Sequence, residues 1–449
     1  MAAGVEFKLP EDYQIQVLKR VARPELLPDE QRVVVTGLGT VNPVGSSVPE
    51  TWKNILEGRS GIALISDEER RDSRVQIAGE IKEFKPEMYF EPRETKWVHR
   101  SAQIFTAAAT EALIDAGLLD PRQVLGKQPL RGVHPYDIGI NCGSGTGGTN
   151  YFAVAQDIFR ERGDRKIPPT SVMQTLIDRI ASVTGMNRFI KGPTYTVTAA
   201  CASSGYAEAD AHNAIRNGDA LVMVTGGSDS AIDRITIGAF AAIRALSTSH
   251  NHEPENASRP FDKNADGFVE AEGAAANVLE RLDYAKARGA KIYAELVGYG
   301  NTADAEHDTA PSGEGAIRAM QMALARAGIP PEEIGYINAH ATSTPIGDPP
   351  EVRAIRYVFG EYTPRIPISA TKSMTGHMLG ATGALEAIFA ILAMRDGMIP
   401  PTINLDNPID DELDFVPYKA KSHAVEYAIT NTFGFGGMNN SLVFRKWVS

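Results

Sequence analysis

Apolar and polar positions along this chain follow two periods. Short continuous apolar runs, such as Val33-Val34-Val35 and Leu221-Val222-Met223-Val224, have the pattern of strands buried on both faces. Longer stretches with apolar residues three and four apart lie between them, which is helical spacing. The runs predict strands at residues 32–40, 137–142, 220–227, 291–299, 334–339, 366–370, 428–432 and 441–445. Helices are predicted over 49–57, 100–116, 171–185, 206–216, 315–328, 348–359 and 383–395. Proline near the start of 49–57, with Gly58 after its end, gives that helix both boundaries. Alternating helices and buried strands predict an α/β fold. The element order restarts near residue 285. The expected organisation is therefore an N-terminal extension (1–31) and two similar halves, 32–285 and 286–449.

Composition narrows the class. At 449 residues the chain exceeds one ordinary core. Its 43% hydrophobic and 22% charged residues are those of a soluble globular protein. A formal charge of −11 argues against general nucleic-acid binding, which needs a basic footprint. No apolar run is long enough to span a membrane. The two cysteines, Cys142 and Cys201, supply neither a disulfide framework nor a metal cluster, as in a reducing compartment. Residues 1–30 lack the apolar core of a signal peptide and are too acidic for a transit peptide, so a cytoplasmic location is expected.

Two motifs promise more than they carry. Gly143-Ser144-Gly145-Thr146-Gly147-Gly148 satisfies the dinucleotide-loop spacing after a strand, but the second strand ending in an acidic residue is missing, so it is read as a structural turn. Asp262 to Gly267 starts like a calcium loop, but Gly273 stands where the closing glutamate belongs.

Cys201 is the stronger candidate. A β-prone run, Thr196-Val197-Thr198, climbs to it, and small residues and a helical pattern follow. A thiol at a helix start lies beside unpaired N–H groups and the positive end of the dipole, which favour the thiolate. Three second-half clusters sit at predicted strand ends: His340 with Thr342 and Thr344, Lys372 with His377, and the loop Phe433-Gly434-Phe435-Gly436-Gly437. Sites of open α/β folds form at such ends, and histidines there donate hydrogen bonds or carry protons.

Together these motifs, with Arg259-Pro260-Phe261-Asp262 and Asp266-Gly267-Phe268-Val269-Glu270, resemble the elongating β-ketoacyl-acyl-carrier-protein synthases, in order from about residue 32 to residue 445. They are most similar to the second-type branch. The resemblance implies a thiolase-like fold, with duplicated halves in a five-layered αβαβα core, as a homodimer. It implies a decarboxylative Claisen condensation: Cys201 accepts an acyl group from acyl-ACP, and the malonyl-ACP enolate extends it by two carbons in fatty-acid elongation. The backbone N–H groups of Cys201 and Phe435 would form the oxyanion hole. His340 and His377 would stabilise the enolate, and Lys372, paired with Glu386, would orient them. Thr342 and Thr344 would hold the phosphopantetheine arm, beside Phe433 and Gly434, and Phe435 would gate the site. No metal or organic cofactor is implied, because the pantetheine arrives on the carrier protein. Docking of that acidic carrier needs local basic residues; the candidates are Arg70, Arg71, Arg74, the 160–166 loop and, foremost, Arg244.

Ala341 and Met438 depart from residues usual in the family, a glycine and a threonine. Other readings fit less well. A thiolase needs a second cysteine after Cys201, and initiating synthases carry asparagine where His377 stands. A non-catalytic partner subunit would lack Cys201. A ketosynthase of a polyketide or other specialised pathway shares every catalytic residue and is the alternative.

Overall fold

The computed structural model describes residues 23–67 and 73–448. The first half contributes strands β1 (Val33–Val41), β2 (Ile138–Gly143), β3 (Thr194–Val197), β4 (Val222–Asp229) and β5 (Gly273–Arg281). The second contributes β6 (Ala294–Ala303), β7 (Ile334–Asn338), β8 (Ile368–Ser369), β9 (Tyr427–Gly434) and β10 (Met438–Lys446). Among the described residues these strands run in the order β8-β7-β9-β10-β6-β1-β5-β4-β2-β3. Outward from the β6/β1 seam, the two halves repeat one order: β1-β5-β4-β2-β3 and β6-β10-β9-β7-β8. Corresponding pairs also share direction, antiparallel next to the seam and parallel at the outer edge. The halves join where Val34 and Val35 pair with Glu295 and Ala294.

Helices complete a thiolase-like, five-layered stack. Arg100–Asp115 packs on one outer face against β1 and β5, and Glu314–Ala327 packs on the other against β6 and β10. Between the two halves of this sheet lie Ser203–Asn217 and Thr382–Asp396. The latter is buried from Thr382 to Met394 because both of its faces meet sheet.

The duplication is written in glycine. A Cβ at Gly37 or Gly39 of β1 would stand 2.1 or 2.0 Å from the carbonyl oxygens of Ala112 or Ala108. At Gly298 or Gly300 of β6 it would meet those of Ala323 or Ala319, at 2.2 or 2.0 Å. Each half thus presses an outer helix against bare strand backbone.

Differences from the sequence-based elements have local causes. The predicted helix 171–185 is two helices, Ser171–Thr175 and Arg179–Arg188, because Leu176 turns extended (φ −66°, ψ 127°). The first packs on the helix Thr149–Arg162 and the second on Arg100–Asp115. That helix Thr149–Arg162 takes in the first three residues of the predicted 160–166 loop. Strand β5 escaped prediction because Gly-Ala-Ala-Ala-Asn reads as helix former; its small residues fit a strand packed between Arg100–Asp115 and Thr382–Asp396. The apolar helix Arg234–Ala242, which has no polar face, was missed as well.

Candidate active site

The chain reverses sharply just before Cys201. Ala200 has φ 49°, a left-handed conformation that an alanine adopts only under constraint. Ser203 holds the bend: its Oγ accepts from Ala199 N–H at 2.8 Å and donates to the Ala200 carbonyl at 2.6 Å. Cys201 follows, just before the helix Ser203–Asn217, with its side chain half-buried.

The second half delivers the opposite wall. A Cβ at Gly434 would lie 2.8 Å from the Ala199 carbonyl and 3.0 Å from Cys201 N, so only glycine lets the β9–β10 turn lie against the bend. That approach brings the Phe435 N–H to Cys201 Sγ, which also receives the N–H of Cys201 itself. His340 and His377 stand with ring centres 5.5 Å apart and nearly perpendicular. Glu351 fixes the backbone of the first, accepting from His340 N–H at 2.8 Å and Ala341 N–H at 2.7 Å. Thr382 Oγ1 lies 3.1 Å from His377 Nδ1. Lys372 Nζ meets Glu386 Oε1 at 2.7 Å, with both side chains 1% exposed.

These residues share one cavity of about 210 Å³. Cys201, His340, His377, Thr342, Thr344, Phe433, Gly434, Phe435 and Arg244 all line it, whereas Lys372 and Glu386 lie behind the wall. Thr342 and Thr344 hydroxyls are 3.1 Å apart. Ala341 also lines the cavity, but Met438 does not. Arg244 is exposed at the mouth, and Arg74 is exposed on the surface. Arg70 and Arg71 lie outside the described residues.

Sequence reasoning passed over other wall residues. Phe268 meets the His377 ring edge-on at 5.3 Å, and Asp304 accepts from Asn439 Nδ2 at 2.8 Å. Leu379, like Ala200 and the docking candidate Arg244, lines the cavity with positive φ. Of Phe268, Asp304 and Leu379, only Phe268 had a signal, its place in the segment 266–270.

The electrostatics correct one expectation. The helix start was expected to favour the thiolate; burial instead pushes the Cys201 thiol up to about 12, against the opposing Lys372 charge and the Phe435 N–H. Burial, then the Lys372 charge, also drives both imidazoles well below their ordinary value, and His340 feels His377 as well. Burial raises Glu386 to about 7, and the Lys372 ammonium opposes this. At neutral pH Cys201 is therefore a thiol, and His340 and His377 are neutral imidazoles.

The two weak motifs resolve as structure. Asp229 accepts from Gly145 N–H (2.8 Å), Thr146 N–H (2.9 Å) and Gly380 N–H (2.7 Å), so its carboxylate occupies the amides a phosphate would use. Asp262 accepts the N–H groups of Asn264, Asp406 and Asn407. Among the described residues no group of three His, Cys, Asp or Glu side chains is placed to hold a metal ion, and no helix is long and apolar enough to cross a membrane.

Residues 30–285 match the β-ketoacyl synthase N-terminal domain, and residues 293–406 match the C-terminal domain. The chain belongs to the β-ketoacyl synthase family. It is similar to a 3-oxoacyl-[acyl-carrier-protein] synthase 2 of Rhizobium meliloti, 43% identical over 93% of this chain and 99% of that protein. A synthase of the same name from Vibrio cholerae is also 43% identical, with the same coverage. Among solved structures, a ketosynthase of a type II polyketide system, in complex with its acyl-carrier protein and bound to the hexaketide, superposes with a TM-score of 0.82. It is 30% identical, over 93% of this chain and 99% of that one. In this family member, the bend at Ala200, Gly434 and the paired histidines line one cavity built from both halves.

A raised thiol pKa has a direct readout. Alkylation of Cys201 by iodoacetamide should accelerate about tenfold per pH unit from pH 7 to pH 10 without a plateau, because only the thiolate reacts. Cys142 contributes no background, since burial makes it inaccessible and pushes its thiol up to about 12. A plateau near neutral pH would mean that the helix start outweighs burial.

Proposed function

We propose that this chain is a β-ketoacyl-ACP synthase of fatty-acid elongation, an acyltransferase that condenses an acyl group on Cys201 with malonyl-ACP. The supporting observation is the convergence of two backbone N–H groups and two neutral histidines on one half-buried thiol. In acyl transfer, Cys201 sulfur attacks the acyl-ACP thioester, the C–S bond to the carrier breaks, and the thiol proton passes to the departing pantetheine thiol. The N–H groups of Cys201 and Phe435 hold the developing oxyanion. Malonyl-ACP then loses carbon dioxide, and its enolate carbon attacks the Cys201 thioester. The C–S bond breaks, 3-oxoacyl-ACP leaves, and the thiolate takes a proton from solvent.

Decarboxylation places charge on the enolate oxygen, which needs donors that stay neutral. Both histidines suit this. His377 Nε2 has no protein partner, and in this reading it carries the ring proton, with Nδ1 accepting from Thr382 Oγ1. Burial, helped by the Lys372 charge, keeps both rings unprotonated, and Glu386 holds Lys372 in place. In this reading Thr342 and Thr344 bind the pantetheine arm, Phe433 and Gly434 flank it, and Phe435 swings as the gate. Decarboxylation supplies the electron pair, so the reaction calls for no metal or organic cofactor.

His340→Ala should lower carbon dioxide release from malonyl-ACP at least about a hundredfold while Cys201 still accepts an acyl group. Loss of acylation with decarboxylation intact would reverse these assignments.

Arg244, exposed at the cavity mouth, is the proposed contact for the acidic carrier, with Arg74 secondary. Arg244→Glu should raise KM for acyl-ACP about tenfold and leave acyl-pantetheine unaffected. Equal losses with both would exclude docking.

The expected homodimer has a surface to use. Among the described residues strand β3 pairs only with β2, leaving an open edge where Tyr195 is 40% exposed. Phe152, Phe159 and Val172 are exposed on helices of the same half. Pairing β3 with its copy would close the edge, since an open apolar edge is a liability for a solitary chain. Sedimentation should show a dimer at micromolar concentration that Tyr195→Pro dissociates. A monomeric parent chain would contradict the proposal.

A further inference from the structure

The condensation makes no use of the buried acid Glu270. Glu270 is 1% exposed, and neither carboxyl oxygen has a hydrogen-bond partner. Its segment runs alongside His377, whose N–H donates to the Val269 carbonyl at 2.8 Å and whose carbonyl accepts from Ala271 N–H at 2.9 Å. Side chains alternate along such extended backbone, so Glu270 shares the face of Phe268, not that of Val269. Phe268 belongs to an apolar compartment with Ile65, Val75, Ala231, Ile237 and Leu379 that reaches Cys201. Val269 faces elsewhere, onto Ile62, Ile77 and Ala257. Glu270 thus projects toward the apolar compartment behind the thiol, whose members Phe268 and Leu379 also line the Cys201 cavity.

Its neighbours do not satisfy it. The charges of Asp229 and Asp233 reinforce burial in keeping its carboxyl protonated, so it can both donate and accept. Asp229 is occupied by Ser144, Gly145, Thr146 and Gly380, and Asp233 by Ile235 and Thr236. The compartment is also not apolar throughout. Ile232 borders both it and a polar cleft that includes Asp233, Arg100 and Tyr151. A plain hydrocarbon chain would leave the Glu270 carboxyl as deprived as it is without substrate, whereas an oxygen on the chain would supply the missing hydrogen bond.

We propose that Glu270 selects the acyl chain, hydrogen-bonding a hydroxyl or keto oxygen carried several carbons from the thioester, and so favours oxygen-bearing acyl groups over plain alkyl chains. This rests on the condensing reading above and adds the substrate class.

The test loads Cys201 of the full chain from pantetheine thioesters of one length. One is saturated, and the others carry a single hydroxyl or ketone at successive positions; acylation is followed by intact mass. For at least one position, acylation of the parent chain should exceed that with the saturated chain about tenfold, the scale of one buried hydrogen bond. Glu270→Leu should invert the preference, and Glu270→Gln, whose amide still donates and accepts, should keep most of it. Equal rates or a saturated preference at every position in the parent chain would overturn the proposal without needing any variant to fold. Survival of the preference in Glu270→Leu would overturn it too. If no thioester acylates Cys201, the condensing reading itself falls and the proposal falls with it.

Discussion

The site depends on one backbone contact between the two halves. At Gly434 the second half's turn lies against the Ala199–Cys201 bend of the first, at a separation no side chain could share. The Phe435 N–H reaches the Cys201 sulfur only through that approach. The matching strand orders make the approach possible. Cys201 follows β3, His340 follows β7, and His377 lies just beyond β8, so equivalent strand ends from both sheets open into one cavity. Rigid sheet on both sides lets the left-handed Ala200 persist, because the surrounding hydrogen bonds over-determine it.

Burial then decides the chemistry. The same enclosure that places the donors strips the thiol of solvent and keeps both histidines neutral. The Lys372–Glu386 pair is the charged element tucked against the site, and desolvation makes such a pair a poor source of stability. Its contribution is electrostatic: Lys372 acts on Cys201, His340 and His377 at once. A neutral thiol and two neutral imidazoles beside the Lys372 charge suit a reaction whose negative charge appears only as carbon dioxide leaves.

Much of this was legible in the sequence because the signals were local. The helix Asp348–Phe359 announced itself by prolines at its start, and β1 and β4 by their apolar runs. The cysteine, histidine, lysine and glycine-loop segments identified the family before any geometry. What escaped depended on neighbours distant in the chain. Strand β5 looks like a helix until helices press on it from both sides, and the break at Leu176 exists because its two flanks pack on different partners. The thiol's protonation followed enclosure by the second half, which a reading of residues 196–216 cannot contain. The glycine pairs 37/39 and 298/300 were a visible trace of the duplication, but their meaning needed the carbonyls they meet.

The most direct measurement of the central claim is a single turnover starting from acylated Cys201. On mixing with malonyl-ACP, the acyl group should leave Cys201 with release of one carbon dioxide per chain, giving a 3-oxoacyl-ACP two carbons longer. Carbon dioxide release that leaves the acyl group on Cys201, or product formed at the same rate by Cys201→Ala, would contradict the account.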